Sequence, residues 1–181
     1  MDSAAKPVEV VPVLVITGPV GVGKTSVARA LSDLLGNAAI AHAMIDMDML
    51  RWCYPPSPAD PFHETLGLRN LAAVWTNYQA LGAQRIVMAD VVETRATVAR
   101  YEKAIPGAAV ALVRLHATVR TLHERLAGRE SGADLEWHQK RAIELAPQME
   151  ETALEDLRVD TEGKTVLEIA QEIIVRARWV E

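Results

Sequence analysis

The chain has 181 residues, 50% of them apolar and 24% charged, with a net charge of -5 and a pI near 5.6. That size and balance suit one soluble domain with a single core, and the acidic surplus excludes the basic footprint of a nucleic-acid binder. A lone cysteine, Cys53, excludes an intrachain disulfide, and no apolar run approaches the roughly 20 residues of a membrane span.

The opening MDSAAKPVEV lacks the basic-then-apolar layout of a signal peptide, so residues 1–10 read as a flexible tail and the protein as cytoplasmic. VPVLVIT, residues 11–17, is a β-branched apolar run of the kind buried on both faces of a parallel sheet. GPVGVGKTS follows at once. Its Gly18, Gly23, Lys24 and Thr25 fill the phosphate-loop pattern G-x-x-x-x-G-K-[ST], in which backbone N–H groups cradle phosphates, the lysine reaches the outer ones and the hydroxyl binds Mg²⁺. Gly21, Val22 and Ser26 complete the cradle. From Lys24 onward, Val27, Leu31, Leu34 and Leu35 recur at helical spacing until Gly36-Asn37 supplies a stop.

Residues 39–46 read as a second strand ending in Asp46-Met47-Asp48. Residues two apart on a strand share a side, so both carboxylates are expected in the crevice beyond the strand ends, where such sheets bind ligands. A competing reading has Asp48 merely capping a short helix over residues 49–51. The loop YPPSPADP must be irregular, because proline removes donors and fixes φ. Leu71, Trp75, Tyr78 and Leu81 then mark a helix closed by Gly82; residues 85–92 form a third strand carrying Asp90; residues 94–104 form a helix and 109–116 a fourth strand.

Val119, Leu122 and Leu126 mark another helix, on which Arg125 and Arg129, four apart, share a face before the Ser131-Gly132 break. A long polar helical stretch runs to about Leu154, and Pro147 is expected to kink or restart it. Residues 157–160 make a last short strand, and Thr165 with Glu168 forms a capping box opening a terminal helix. The alternation predicts an α/β fold: a three-layer α/β/α arrangement with a five-stranded parallel sheet, one domain over residues 11–181.

Absent motifs narrow the class. No N-K-x-D or T-K-x-D reads guanine, the D-x-x-G at Asp33 to Gly36 lies inside the first helix, and the histidines lack a metal-ligand spacing such as H-E-x-x-H. Helicases, transporters and ring ATPases need domains that the chain has no room for. Small compact phosphotransferases remain.

In these motifs the sequence resembles the nucleoside-monophosphate-kinase-like group of phosphate-loop enzymes, and within it the shikimate, gluconate, adenylylsulfate and chloramphenicol phosphotransferases. The resemblance implies ATP and Mg²⁺ as cofactors and a short lid around residues 125–147. It makes Lys24, Asp48, Arg125 and Arg129 the catalytic set, with Arg129 also over the nucleotide. Thr25, Asp46 and Asp90 fall on the metal side, and Asp48 is the base at the acceptor hydroxyl. Asp90 departs from the group's pattern, since nucleotide kinases continue Asp-Gly where this chain continues Val91-Val92-Glu93. On the acceptor side the resemblance points to Asp48, Arg51, Arg69, Asp90 and Arg95, with Trp52, Tyr54 and Trp75 as further wall candidates.

The function so implied is transfer of the γ-phosphoryl group of ATP to a hydroxyl of a small molecule, by a monomer or homodimer without nucleic-acid or membrane partners. Two alternatives stand beside it: an antibiotic-modifying phosphotransferase, and a nucleotide-binding switch or regulatory NTPase without an acceptor.

Overall fold

Five short segments form one all-parallel sheet in the computed structural model, which describes residues 9–128 and 131–179. They are β1 (Val11–Thr17), β2 (Ala43–Asp46), β3 (Ile86–Ala89), β4 (Ala108–His116) and β5 (Leu157–Asp160), in the order β2-β3-β1-β4-β5. Alternation along β1 splits the core in two. Leu14 and Ile16 join one buried cluster with Leu31, Leu35, Leu122 and Ile173, while Val13 and Val15 join another with Leu71, Trp75, Val98 and Tyr101. The result is the expected three-layer α/β/α fold.

The first layer comprises α1 (Lys24–Asn37), α5 (Val119–Ala127) and α7 (Val166–Arg176). The opposite one holds α2 (Met47–Arg51), α3 (Glu64–Ala80) and α4 (Arg95–Ala104). The remaining helix, α6 (Gly132–Thr152), adds Ala142 to the first cluster and packs against α5. The capping box at Thr165 and Glu168 opens α7, and Gly82, at φ 94, follows the end of α3.

Several boundaries differ from those expected, for identifiable reasons. β2 starts only at Ala43, because Ala39 takes a left-handed φ of 54 and turns the chain before pairing begins. β3 stops at Ala89: the Val91 and Val92 N–H groups turn from the ladder and donate instead to Asp90 Oδ1 and Thr17 Oγ1. Helix α1 runs past Gly36 to Asn37. Helix α6 continues through Pro147 without restarting; the carbonyl that the proline cannot bond belongs to Ile143, which is half exposed and can be satisfied by water.

Candidate active site

The phosphate loop joins β1 to α1 with three glycines at positive φ: Gly18 at 140, Gly21 at 86 and Gly23 at 102. Gly18 is required sterically as well, because a Cβ there would lie 2.6 Å from the Leu115 carbonyl oxygen. The loop is braced from behind. Thr17 Oγ1 accepts the Val92 N–H at 2.9 Å, and Arg125 donates to Val22 O at 3.2 Å and to Thr161 Oγ1 at 3.0 Å. Arg125 thus joins α5 to the back of the loop and to the turn after β5. Its partner in the predicted pair, Arg129, lies outside the described residues.

At the front, Gly23 heads α1 without a side-chain cap, leaving first-turn N–H groups directed at the space where an anion would sit. Lys24 Nζ donates to Gly18 O at 3.1 Å and Pro19 O at 3.3 Å, folded over its own loop. Thr25 Oγ1 donates to Asp46 Oδ2 at 2.8 Å, so the end of β2 meets the start of α1. The other oxygen of Asp46 accepts the Asp48 N–H at 3.0 Å and caps α2. Asp46, rather than Asp48, is therefore the capping residue. Asp48 sits in the first turn of that helix, not on the strand, because the chain turns helical as soon as the ladder ends.

Asp48 still faces the crevice, with its side chain 77% exposed. The crevice walls disfavour its charge, and the carboxylates of Asp90 and Asp46 add to this against Lys24 and Arg51, so its pKa stands above the ordinary aspartate value. Arg51, one turn on, binds Asp90 through both terminal nitrogens at 2.7 and 2.6 Å and lies 3.7 Å from Asp48. Burial works against the guanidinium charge, but the hydrogen bonds and charge of Asp90 outweigh it and raise the Arg51 pKa.

Asp90 is only 2% exposed and accepts four donors: the two nitrogens of Arg51, the Val91 N–H at 2.7 Å and the Tyr101 hydroxyl. Burial together with the Asp90 charge pushes the Tyr101 phenol well above its usual value, keeping it a donor. This unit has room only because α3 carries Gly67, where a Cβ would come within 2.8 Å of Arg51 Cγ.

These groups border a cavity of about 740 Å³ that begins at the phosphate loop and extends past Asp48. Of the predicted residues, Gly21, Gly23, Lys24, Thr25, Ser26, Asp48, Arg51 and the wall candidate Trp52 line it, whereas Val22 turns its side chain into the core beneath the loop. Asp46 reaches it through Thr25, and Asp90 stands behind Arg51. Arg69 and Arg95 are exposed and do not line it; Trp75 is in the core, and Tyr54 projects into solvent at 90% exposure.

Sequence reading missed much of the far wall: Phe62 and Glu64 before and at the start of α3, Glu93 and Arg100 around α4, and Trp137, His138 and Arg141 on α6. Arg100 pairs with Glu64 at 2.5 Å, and Arg141 pairs with Glu93. A signal existed on α4, since Thr97, Arg100 and Tyr101 stand three and four apart on one face. Nothing local distinguished Trp137 or Arg141 from an ordinary polar helix. Among the described residues no cluster of three or more His, Cys, Asp or Glu is arranged to hold a metal.

No family model matches the chain, and no curated protein does. Solved structures do. A gluconokinase from Sinorhizobium meliloti 1021 aligns at 21% identity and a TM-score of 0.62, covering 96% of this chain and 95% of its own. The fold is that of the small phosphate-loop kinases. Two others extend the likeness: a tunicamycin resistance protein from Deinococcus radiodurans, at 19% identity, TM-score 0.62 and 92% and 95% coverage, and a shikimate kinase from Acinetobacter baumannii in complex with shikimate, at 18%, 0.55 and 96% and 97%. The likeness spans nearly the whole of each chain, so the shared fold takes in the sheet and its surrounding helices. No helix among the described residues is long and apolar enough to cross a membrane.

Proposed function

We propose that the protein is a phosphotransferase that moves the γ-phosphoryl group of ATP to a hydroxyl of a small molecule. The observation that carries this is the placing of Asp48 beside the Lys24–Thr25–Asp46 cluster, at the start of a cavity that continues well past the phosphate loop. A loop serving only as a nucleotide switch needs no such further space.

The residues suit the nucleotide and its metal. An uncapped helix start behind glycines of positive φ supplies N–H groups for phosphate oxygens, and Lys24 is within reach of the same oxygens. Thr25 and Asp46 offer hard oxygen donors at one point, the chemistry Mg²⁺ prefers, and would hold the ion there. Mg·ATP when bound supplies the phosphoryl group and neutralises charge developing on it.

Asp48 aligns the acceptor hydroxyl and takes its proton as the new P–O bond forms and the bond to the ADP oxygen breaks. Arg51 holds the helix turn bearing Asp48 against β3 through Asp90, a positioning part. The first half of α6, with Trp137, His138 and Arg141, is the lid segment, closing the acceptor end and excluding water.

Lys24→Ala tests the nucleotide half. It is expected to weaken ATP binding by isothermal titration and to abolish turnover, whereas unchanged ATP affinity contradicts the assignment.

A further inference from the structure

Beyond the lysine of the phosphate loop, the described cavity presents three arginines, and each already faces a carboxylate. Arg51 is bound in two places to Asp90, Arg100 to Glu64 and Arg141 to Glu93. A site built to capture an anion leaves a guanidinium fork open to the ligand, because the fork matches a carboxylate or phosphate bidentately. Here an incoming carboxylate would meet Glu64, Glu93 and Asp48 along with the arginines, and like charges brought together in a crevice cost affinity. Interleaved with these pairs are three aromatic rings that remain open to water although they line the cavity: Trp52, Phe62 and Trp137, 82%, 65% and 52% exposed. Exposed rings of that size in a concave site favour a ligand with a flat apolar face, while paired ions and threonine hydroxyls offer donors and acceptors to hydroxyls without demanding charge.

We infer that the acceptor is a neutral glycoside, a class that includes nucleosides: an uncharged polyhydroxylated molecule carrying a flat apolar face, rather than an anionic metabolite. This rests on the phosphotransferase reading for the fate of the hydroxyl, but its binding argument is independent of catalysis.

The test compares phenyl β-glucoside with phenyl β-glucuronide, which differ by one carboxylate, by isothermal titration of the full chain. The glucoside is expected to bind about tenfold tighter. Equal affinities, tighter glucuronide, or no binding of the glucoside overturns the inference. A Glu64→Gln, Glu93→Gln double variant releases Arg100 from its carboxylate and leaves Arg141 only its longer contact, 3.5 Å to Glu144; the pairs removed are partly exposed and add little stability. It is expected to raise glucuronide affinity about tenfold; unchanged affinity shows that the ion pairs do not set the preference and overturns the inference. Product analysis after adding Mg·ATP reads the other claim separately. A glucoside that binds without being phosphorylated supports the neutral site and contradicts the phosphotransferase reading.

Discussion

Asp48 and Asp90 are both carboxylates near the end of the sheet, yet their surroundings give them opposite work. Asp48 is water-accessible, has no short side-chain donor and keeps a raised pKa. Such a carboxylate can accept a proton. Asp90 is buried under four donors and serves as an anchor. Asp48→Asn is therefore expected to reduce acceptor-dependent turnover by about 10²–10⁴-fold while leaving ATP affinity unchanged, measured by ADP release and titration. Because the pKa of Asp48 is raised, its proton is retained to higher pH than on an ordinary aspartate. The working base is the deprotonated form, so kcat falls on acidification sooner than an unperturbed aspartate would dictate, and the Asn variant should lose that acid limb. Asp90→Asn removes one charge of a buried pair and is expected to cost about 3–5 kcal/mol of stability in urea unfolding. A loss below about 1 kcal/mol would mean that Asp90 is not the anchor described.

Among elements, the short helix α2 decides how the site is organised. It begins directly after β2, so Asp46 caps it, Asp48 fills its first turn and Arg51 its last, turning three residues of one sequence segment toward one crevice. Helix α3 accommodates this arrangement only through Gly67. Gly67→Ala places a methyl against Arg51 and is expected to cost about 1–3 kcal/mol in thermal unfolding and to raise KM for the acceptor more than for ATP. Equal effects on both would indicate general loosening. Helix α6 works differently: its far end is tied to the sheet by Arg114, 2.9 Å from Glu150, whereas its first half lines the cavity with Trp137 and Arg141. The sequence showed α6 as a helix, but its polar periodicity carried no sign of which face met a ligand.

At the scale of the whole molecule, the sheet, its layers and the phosphate loop were legible because they rest on local signals: β-branched runs, positive-φ glycines and helical spacing of leucines. Lys24, Thr25, Asp46 and Asp48 could be placed for the same reason, being tied to strand ends. Most of the acceptor wall beyond Asp48, Arg51 and Trp52 was not legible. Its parts come from residues as distant as Phe62, Arg100 and Trp137, and their meeting depends on how α3, α4 and α6 pack around a space. Residue type was a poor guide to that wall: Arg69, Arg95 and Tyr54 are exposed away from the cavity and Trp75 lies in the core, whereas Arg51 and Trp52 line it together with Arg100 and Arg141. The central claim is that nucleotide and acceptor share this one cavity. Its most direct measurement is ADP formation from Mg·ATP with and without neutral glycosides, with mass spectrometry of the added molecule. Slow basal turnover that rises at least about tenfold with an acceptor, with one phosphoryl group found on it and none with Asp48→Asn, is the predicted result. ATP binding with turnover indifferent to every added hydroxyl compound, and no phosphorylated product, would contradict it.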